Sequence, residues 1–329
     1  MRKAINYLSD AGVVIGCCLG VGMLSGKEAQ VFFGNTSNVI IFAAAFCLVN
    51  ILFREYCRKN NVCDTVALSK KCFGKLSAPF GAGLALCCFV CVTTMLAGVN
   101  ECLEALMPVG SLPLYGVACA TLAAIVMSRG MKALKIANAV SIALAVILIA
   151  ALFCINDNAG DACSVSPVNP MIYTLFSVTM SFGVLTRLGA DSDRKKNIIC
   201  SVIASSVLAA ITAAVMKLSD FSLSLPAIEN ISNPYLLAYA AVTLTLAAVT
   251  GVVANAAPIV ERIKDIIPDE SLCCTLTFAL SLALSALGFD FAVKAGYLIV
   301  GVIGGITVAL SAISLIAECI RRTKRARQG

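Results

Sequence analysis

Residues 11–34, AGVVIGCCLGVGMLSGKEAQVFFG, place one carboxyl group, Glu28, near the end of an apolar run whose middle carries Gly16, Gly20 and Gly22. An acid inside a membrane span is costly, so it serves as a proton acceptor or as the partner of a cationic group. Two readings of Glu28 stand: a site for a proton or a substrate amine, or an ion pair with its neighbour Lys27 or with Lys294. The glycines also carry two readings. Small residues four apart, Gly16 with Gly20 and Gly22 with Gly26, let helices pack closely. Clustered glycines also let a helix open at mid-depth, which lipid tolerates only where the backbone faces protein or a polar cavity. An opened helix has chemistry of its own. The start of its second half, from Met23 through Ser25 to Gly26, would offer N–H groups and partial positive charge to a carboxylate. Carbonyls ending the first half, from Cys18 to Val21, suit a cation or an amino group.

A matching interruption lies in MIYTLFSVTMSFGVLTRLGAD (171–191), where Ser177, Ser181 and Gly183 fall mid-way and Phe182-Gly183-Val184 lines up with Leu19-Gly20-Val21. Tyr173, Phe176 and Ser177 would form one wall of a site between the two breaks, and Thr93 and Thr94 another. In TLTLAAVTGVVANAAPIVERIK (243–264), Thr250, Asn255 and Pro258 interrupt an apolar helix. Hydroxyls and amides in spans face the bundle interior, so Thr250 either bonds a neighbouring helix or coordinates an ion, with Asn255 beside it. Asp10 falls near the inner interface and is assigned no role.

The elements that must position these residues are membrane helices. Of 329 residues, 60% are hydrophobic and 13% charged, with mean hydropathy +0.94; a soluble domain has about 25% charged residues. Apolar stretches predict ten spans, at 6–33, 37–54, 79–103, 111–128, 133–154, 169–188, 197–217, 233–260, 271–287 and 292–319. They form one polytopic domain over 1–329, with a basic tail at 320–329. The alternate connections hold 22 of the 25 Lys and Arg residues, which places both termini in the cytoplasm. In the inner loop, Asp64 or Thr65 is placed to cap a short interfacial helix.

Five spans followed by five more, each set opening on an interrupted helix, is the pattern of an inverted repeat, 6–154 and 169–319. The first span, with Ser25-Gly26, Lys27, Glu28 and Phe32-Phe33, resembles that of the YkvI-like bacterial membrane proteins. Tyr173, LPAIENIS (225–232) and LGFDFAVKAGYLIVGVIGG (287–305) extend the resemblance over most of the chain. That family is similar to the amino acid–polyamine–organocation superfamily. The resemblance implies an all-α LeuT-like fold with broken helices 1 and 6, and a solute site between spans 1, 3, 6 and 8. Thr250 and Pro258 keep the spacing of a sodium-site helix, but Gly251 stands where a Ser is expected, so one side-chain oxygen is missing.

The function read from this is secondary transport of an amino acid or related zwitterion, coupled to sodium or protons, with no other cofactor. The alternative is a non-transporting receptor or a channel on the same fold. An enzyme is not expected, since the chain has no His, HExxH or GxSxG. The 17 Cys lack paired ligand spacing and read as small core hydrophobes, save for a suggested Cys154–Cys163 disulfide. The basic tail reads as a lipid contact rather than a nucleic-acid one. The expected partners are the bilayer and a small solute, in a bacterial cytoplasmic membrane. Oligomeric state is not legible.

Overall fold

The computed structural model describes residues 2–107, 113–155, 165–218, 231, 233–289 and 296–326. The helices in order are α1 (Arg2–Cys18), α2 (Val21–Ser25), α3 (Lys27–Phe32), α4 (Thr36–Asn60), α5 (Thr65–Phe73) and, after a 3-10 turn at Gly74–Leu76, α6 (Ser77–Leu106). There follow α7 (Leu114–Ser128), α8 (Gly130–Ile155), α9 (Val168–Met180), α10 (Phe182–Ala190), α11 (Arg194–Leu218), α12 (Pro234–Ile263), α13 (Glu270–Ser285) and α14 (Tyr297–Ala326). Among the described residues no strand occurs.

Six helical runs are long and apolar enough to cross a membrane: α4, α5 with α6, α8, α11, α12 and α14. The pair α9 and α10, bent by 66°, makes a seventh; α1, α7 and α13 are shorter apolar helices. Ile40, Leu48, Leu86, Ile136 and Val146 are all more than half exposed on outward helix faces. So much exposed aliphatic surface is a lipid-facing surface, and the chain is a multi-pass membrane protein.

The expected first span, 6–33, is three helices. Gly20 is extended (φ −84°, ψ 175°), which stops the helical ladder after Cys18. Gly26 is left-handed (φ 94°), ending α2 and starting α3 in a conformation that disfavours any residue with a Cβ. The expected span 169–188 also breaks, at Ser181, the first residue of the expected Ser181-Phe182-Gly183 interruption. The helix opens where a hydroxyl can take up its last carbonyls: Ser181 Oγ lies 2.8 Å from Ser177 O and 3.1 Å from Val178 O. Gly183 sits inside α10 for a different reason. A Cβ there would lie 2.5 Å from Pro258 Cγ and 3.2 Å from Ala254 O, so the missing side chain admits α12.

Local signals start four of the other helices. Asp64 caps α5 by accepting from Ala67 N at 2.6 Å. Asn35 caps α4, Asn233 with Pro234 opens α12, and Asp269 caps α13. Gly301, Gly304 and Gly305 let α14 lie on α9 at Ile172, Leu175 and Thr179. Basic residues gather at one end of the bundle, where α4 ends, α7 meets α8, α10 meets α11 and α12 meets α13. There Asp10 is held by Lys135 at 2.8 Å and Lys196 at 2.5 Å, which gives it a bridging role that the sequence had not suggested. The suggested Cys154–Cys163 bond falls outside the described residues, as do Lys294 and most of 225–232.

Candidate functional site

The two helix breaks meet inside the bundle. Cys18, the last residue of α1, points its thiol at Ser177 O (3.4 Å) and Ser181 Oγ (4.0 Å) on the other broken helix. Both breaks are wholly buried, as are Leu19, Val21 and Phe182 around them. The structure therefore brings Cys18, Gly20, Ser177 and Ser181 together from chain positions some 160 apart.

Glu28 stands just beyond this point and is 1% exposed. Tyr173 Oη on α9 donates to Glu28 Oε2 at 2.5 Å, and Tyr297 Oη on α14 donates to Oε1 at 2.5 Å. Each carboxylate oxygen thus has its own phenol donor, an arrangement suited to holding a negative charge away from water. The carboxylate folds back over Gly22, where a Cβ would lie 2.3 Å from Glu28 Oε1. Aromatic rings close the surroundings. Phe176 stacks on Tyr297 with centroids 3.5 Å apart, and Phe32 stacks on it at 5.8 Å. Phe32 and Phe33 lie 5.2 Å from the Tyr173 ring. The ion pair with Lys27 is not formed by Glu28. Lys27 turns the other way, bonding Glu101 on α6 and lying 5.7 Å over the Phe289 ring.

The other expected residues divide. Met23 lies in α2 against Thr212 of α11 (Oγ1 to Sδ, 3.7 Å). The Gly26 N–H is already bonded to Met23 O at 3.2 Å, and Ser25 Oγ to Gly22 O at 3.2 Å. Within α2 it is the N–H groups of Val21, Gly22 and Met23, at its start, that no helical carbonyl can reach. Thr94 spends its hydroxyl on Val90 O. Met95, its neighbour, is what meets the first break: a Cβ on Gly20 would lie 2.5 Å from Met95 Cε, and one on Gly251 would lie 3.5 Å from it. Asn255 bonds Gly251 O through Nδ2 and leaves its buried Oδ1 without a protein partner.

Thr250 Oγ1 lies 3.2 Å from Gly16 O and 2.9 Å from Ala247 O. The α1 carbonyl it meets is thus Gly16, earlier than the Cys18–Val21 carbonyls that the sequence suggested. Two further groups, not singled out in the sequence, lie here. Asn138 on α8 is fully buried against Gly16, with neither its Oδ1 nor its Nδ2 hydrogen-bonded, and Ser141 Oγ one turn on is likewise unpartnered. Their signal was present as two polar residues three apart in an apolar helix. Tyr297 was also missed, because nothing local connects it to Glu28, 269 positions away.

Between α8, α10 and α12, toward the basic end, lies a cavity of about 310 Å³. It extends from Gly183 and Pro258, past Arg187 and Glu261, which bond each other, to the exposed Lys264 and Glu270.

No protein-family model matches the sequence, and no curated protein matches it. The likeness is in three dimensions. MhsT in complex with L-phenylalanine superposes with TM-score 0.68 at 14% identity, covering 92% of this chain and 88% of that one. A Na+-coupled sialic acid symporter in a substrate-bound outward-open state gives 0.63 at 13%, covering 92% and 77%. Mhp1, a nucleobase-cation-symport-1 family transporter in a closed conformation with bromovinylhydantoin bound, gives 0.60 at 14%, also covering 92% and 77%. The chain has the LeuT-like fold that these transporters share.

Proposed function

We propose that this protein is a secondary transporter that carries an amino acid or related zwitterion by alternating access. The observation that carries the reading is the meeting of two broken helices at Cys18, Ser177 and Ser181, with the buried Glu28 carboxylate beside them. Helix breaks at mid-depth expose backbone donors and acceptors to a bound solute. The α2 N-terminus would face a solute carboxylate, and Glu28 in its aromatic surround would face the amine. L-phenylalanine bound to MhsT is consistent with a zwitterion of this kind.

The fuller architecture belongs to the same proposal. The chain is one domain over 1–329, of YkvI-like type, with ten spans as two inverted repeats of five. It lies in a bacterial cytoplasmic membrane with the basic end and both termini inside. The cavity from Gly183 to Lys264 then opens to the cytoplasm and forms the inner half of the route. For coupling, Gly16 O, Thr250 Oγ1 and Asn138 Oδ1 bring oxygens from three helices together, with Ser141 Oγ one turn along α8 from Asn138. Asn138 and Ser141 supply what Gly251 lacks, which favours sodium over protons as the driving ion.

The test is uptake of labelled amino acids into liposomes holding the purified protein, under a sodium gradient, a proton gradient or neither. Accumulation driven by sodium is expected. Solute binding without accumulation under any gradient would refute transport and leave a receptor; uptake that never saturates would point to a channel.

A further inference from the structure

A second polar cluster lies away from the helix breaks, between α4 and α11, toward the basic end. Asn50 and Arg54 are one turn apart on α4, and Asn197 and Ser201 one turn apart on α11. All four are at most 1% exposed. Arg54 Nε donates to Asn197 Oδ1 at 3.0 Å, and Ser201 Oγ lies 2.8 Å from Asn197 O and 3.0 Å from Asn50 Oδ1. These bonds use both amide oxygens. What is left over is all of one kind: Arg54 Nη1 and Nη2, Asn50 Nδ2 and Asn197 Nδ2, each buried and without a protein partner.

Buried polar groups nearly always find partners, and a guanidinium above all. Among the described residues the one acceptor beside these donors is a thiol. The Cys200 thiol stands beside the guanidinium, but sulfur is a weak acceptor and its hydrogen is directed at Tyr7 O (3.4 Å). Asp10 is the acid that faces this region from α1, and its two oxygens are taken by Lys135 and Lys196. The group Arg54, Lys135, Lys196 and Asp10 therefore carries an excess of two positive charges. From α10, Gly189 presses on the Arg54 backbone, where a Cβ would lie 2.9 Å from Arg54 O, so the cluster is enclosed on that side as well.

We infer that Arg54, Asn50 and Asn197 form a binding site for a small anion, of which chloride is the form in free solution. A ligand here must accept hydrogen bonds, carry negative charge and be small enough for an enclosed site. One water accepts from at most two of these donors and carries no charge to balance the guanidinium. The site is separate from the Glu28 region and does not depend on the transport reading.

The experiment follows the thermal stability of the purified full chain, using a thiol-reactive dye that reports on the buried cysteines. Chloride and acetate are each titrated against gluconate at constant ionic strength, and binding of radiolabelled chloride is measured directly. The wild type should be stabilised saturably by chloride and should bind the label. Asn50→Asp places a carboxylate one turn from Arg54. It should be as stable without chloride as the wild type is with it, and should bind chloride at least about tenfold more weakly. Arg54→Gln should lose the response, and the Asn50→Asp result decides the matter if that variant fails to fold. Stabilisation by acetate but not chloride would overturn the inorganic assignment in favour of a solute carboxylate. A wild type indifferent to both anions would overturn the site.

Discussion

The two phenols on Glu28 yield a prediction about how the carboxylate is held. Tyr297→Phe removes one oxygen and leaves the ring, so its stacking on Phe176 at 3.5 Å is kept. What is lost is the hydrogen bond to Glu28 Oε1, at a site 1% exposed on both residues. Hydrogen bonds to charged groups contribute about 1.5–3 kcal/mol, and water cannot replace the donor here. Tyr297→Phe should therefore lose about 1.5–3 kcal/mol, and Tyr173→Phe a similar amount. In a Glu28→Gln background the acceptor is neutral, and Tyr297→Phe should cost only about 0.5–1.5 kcal/mol. Equilibrium unfolding in mixed micelles, run as a double-mutant cycle over the wild type, both singles and the double, measures the difference. A coupling near or above about 1 kcal/mol is expected. If Tyr297→Phe costs the same in both backgrounds, the phenol acts through packing alone, and the picture of a charge held by two donors fails.

Three further outcomes follow from the geometry. Gly183→Ala gains about 0.5–1 kcal/mol in helix propensity but drives a Cβ to 2.5 Å from a proline ring that cannot rotate away, which costs about 1–3 kcal/mol. It should lower thermal stability in the wild type and leave it unchanged or raised in a Pro258→Ala background; equal loss in both would contradict the packing role given to Gly183. Gly26→Ala forces a Cβ into the left-handed region at φ 94° and should cost about 1–2 kcal/mol. Gly20→Ala meets only the flexible end of Met95, so Met95→Ala should relieve Gly20→Ala and leave Gly26→Ala unrelieved, read by the same unfolding assay. Thr250→Ala and Asn138→Ala should each weaken the sodium dependence of uptake at least about tenfold while solute binding at saturating sodium persists. Unchanged sodium dependence in both would remove that ion site.

Much of the fold was local and so was written in the sequence. Apolar runs of span length and Asp64 before a short helix each act within a few residues. The first break was legible for the same reason: glycines mark it, and an extended Gly20 next to Val21 needs no distant partner. Glu28 was also legible, as the one acid between residues 11 and 34.

What tertiary structure decided is everything that depends on which helix lies beside which. Within the Ser181-Phe182-Gly183 interruption the break falls at Ser181, whose hydroxyl takes up the last carbonyls, while Gly183 answers to Pro258 on another helix. Lys27 adjoins Glu28 in the chain, yet successive residues on a helix point to different sides, so one reaches Glu101 and the other Tyr173 and Tyr297. Asn138 and Arg54 gained their meaning in the same way. A polar residue in an apolar helix announces that it needs a partner, but only the packing of α1 on α8, and of α4 on α11, shows which of its atoms go unmet among the described residues.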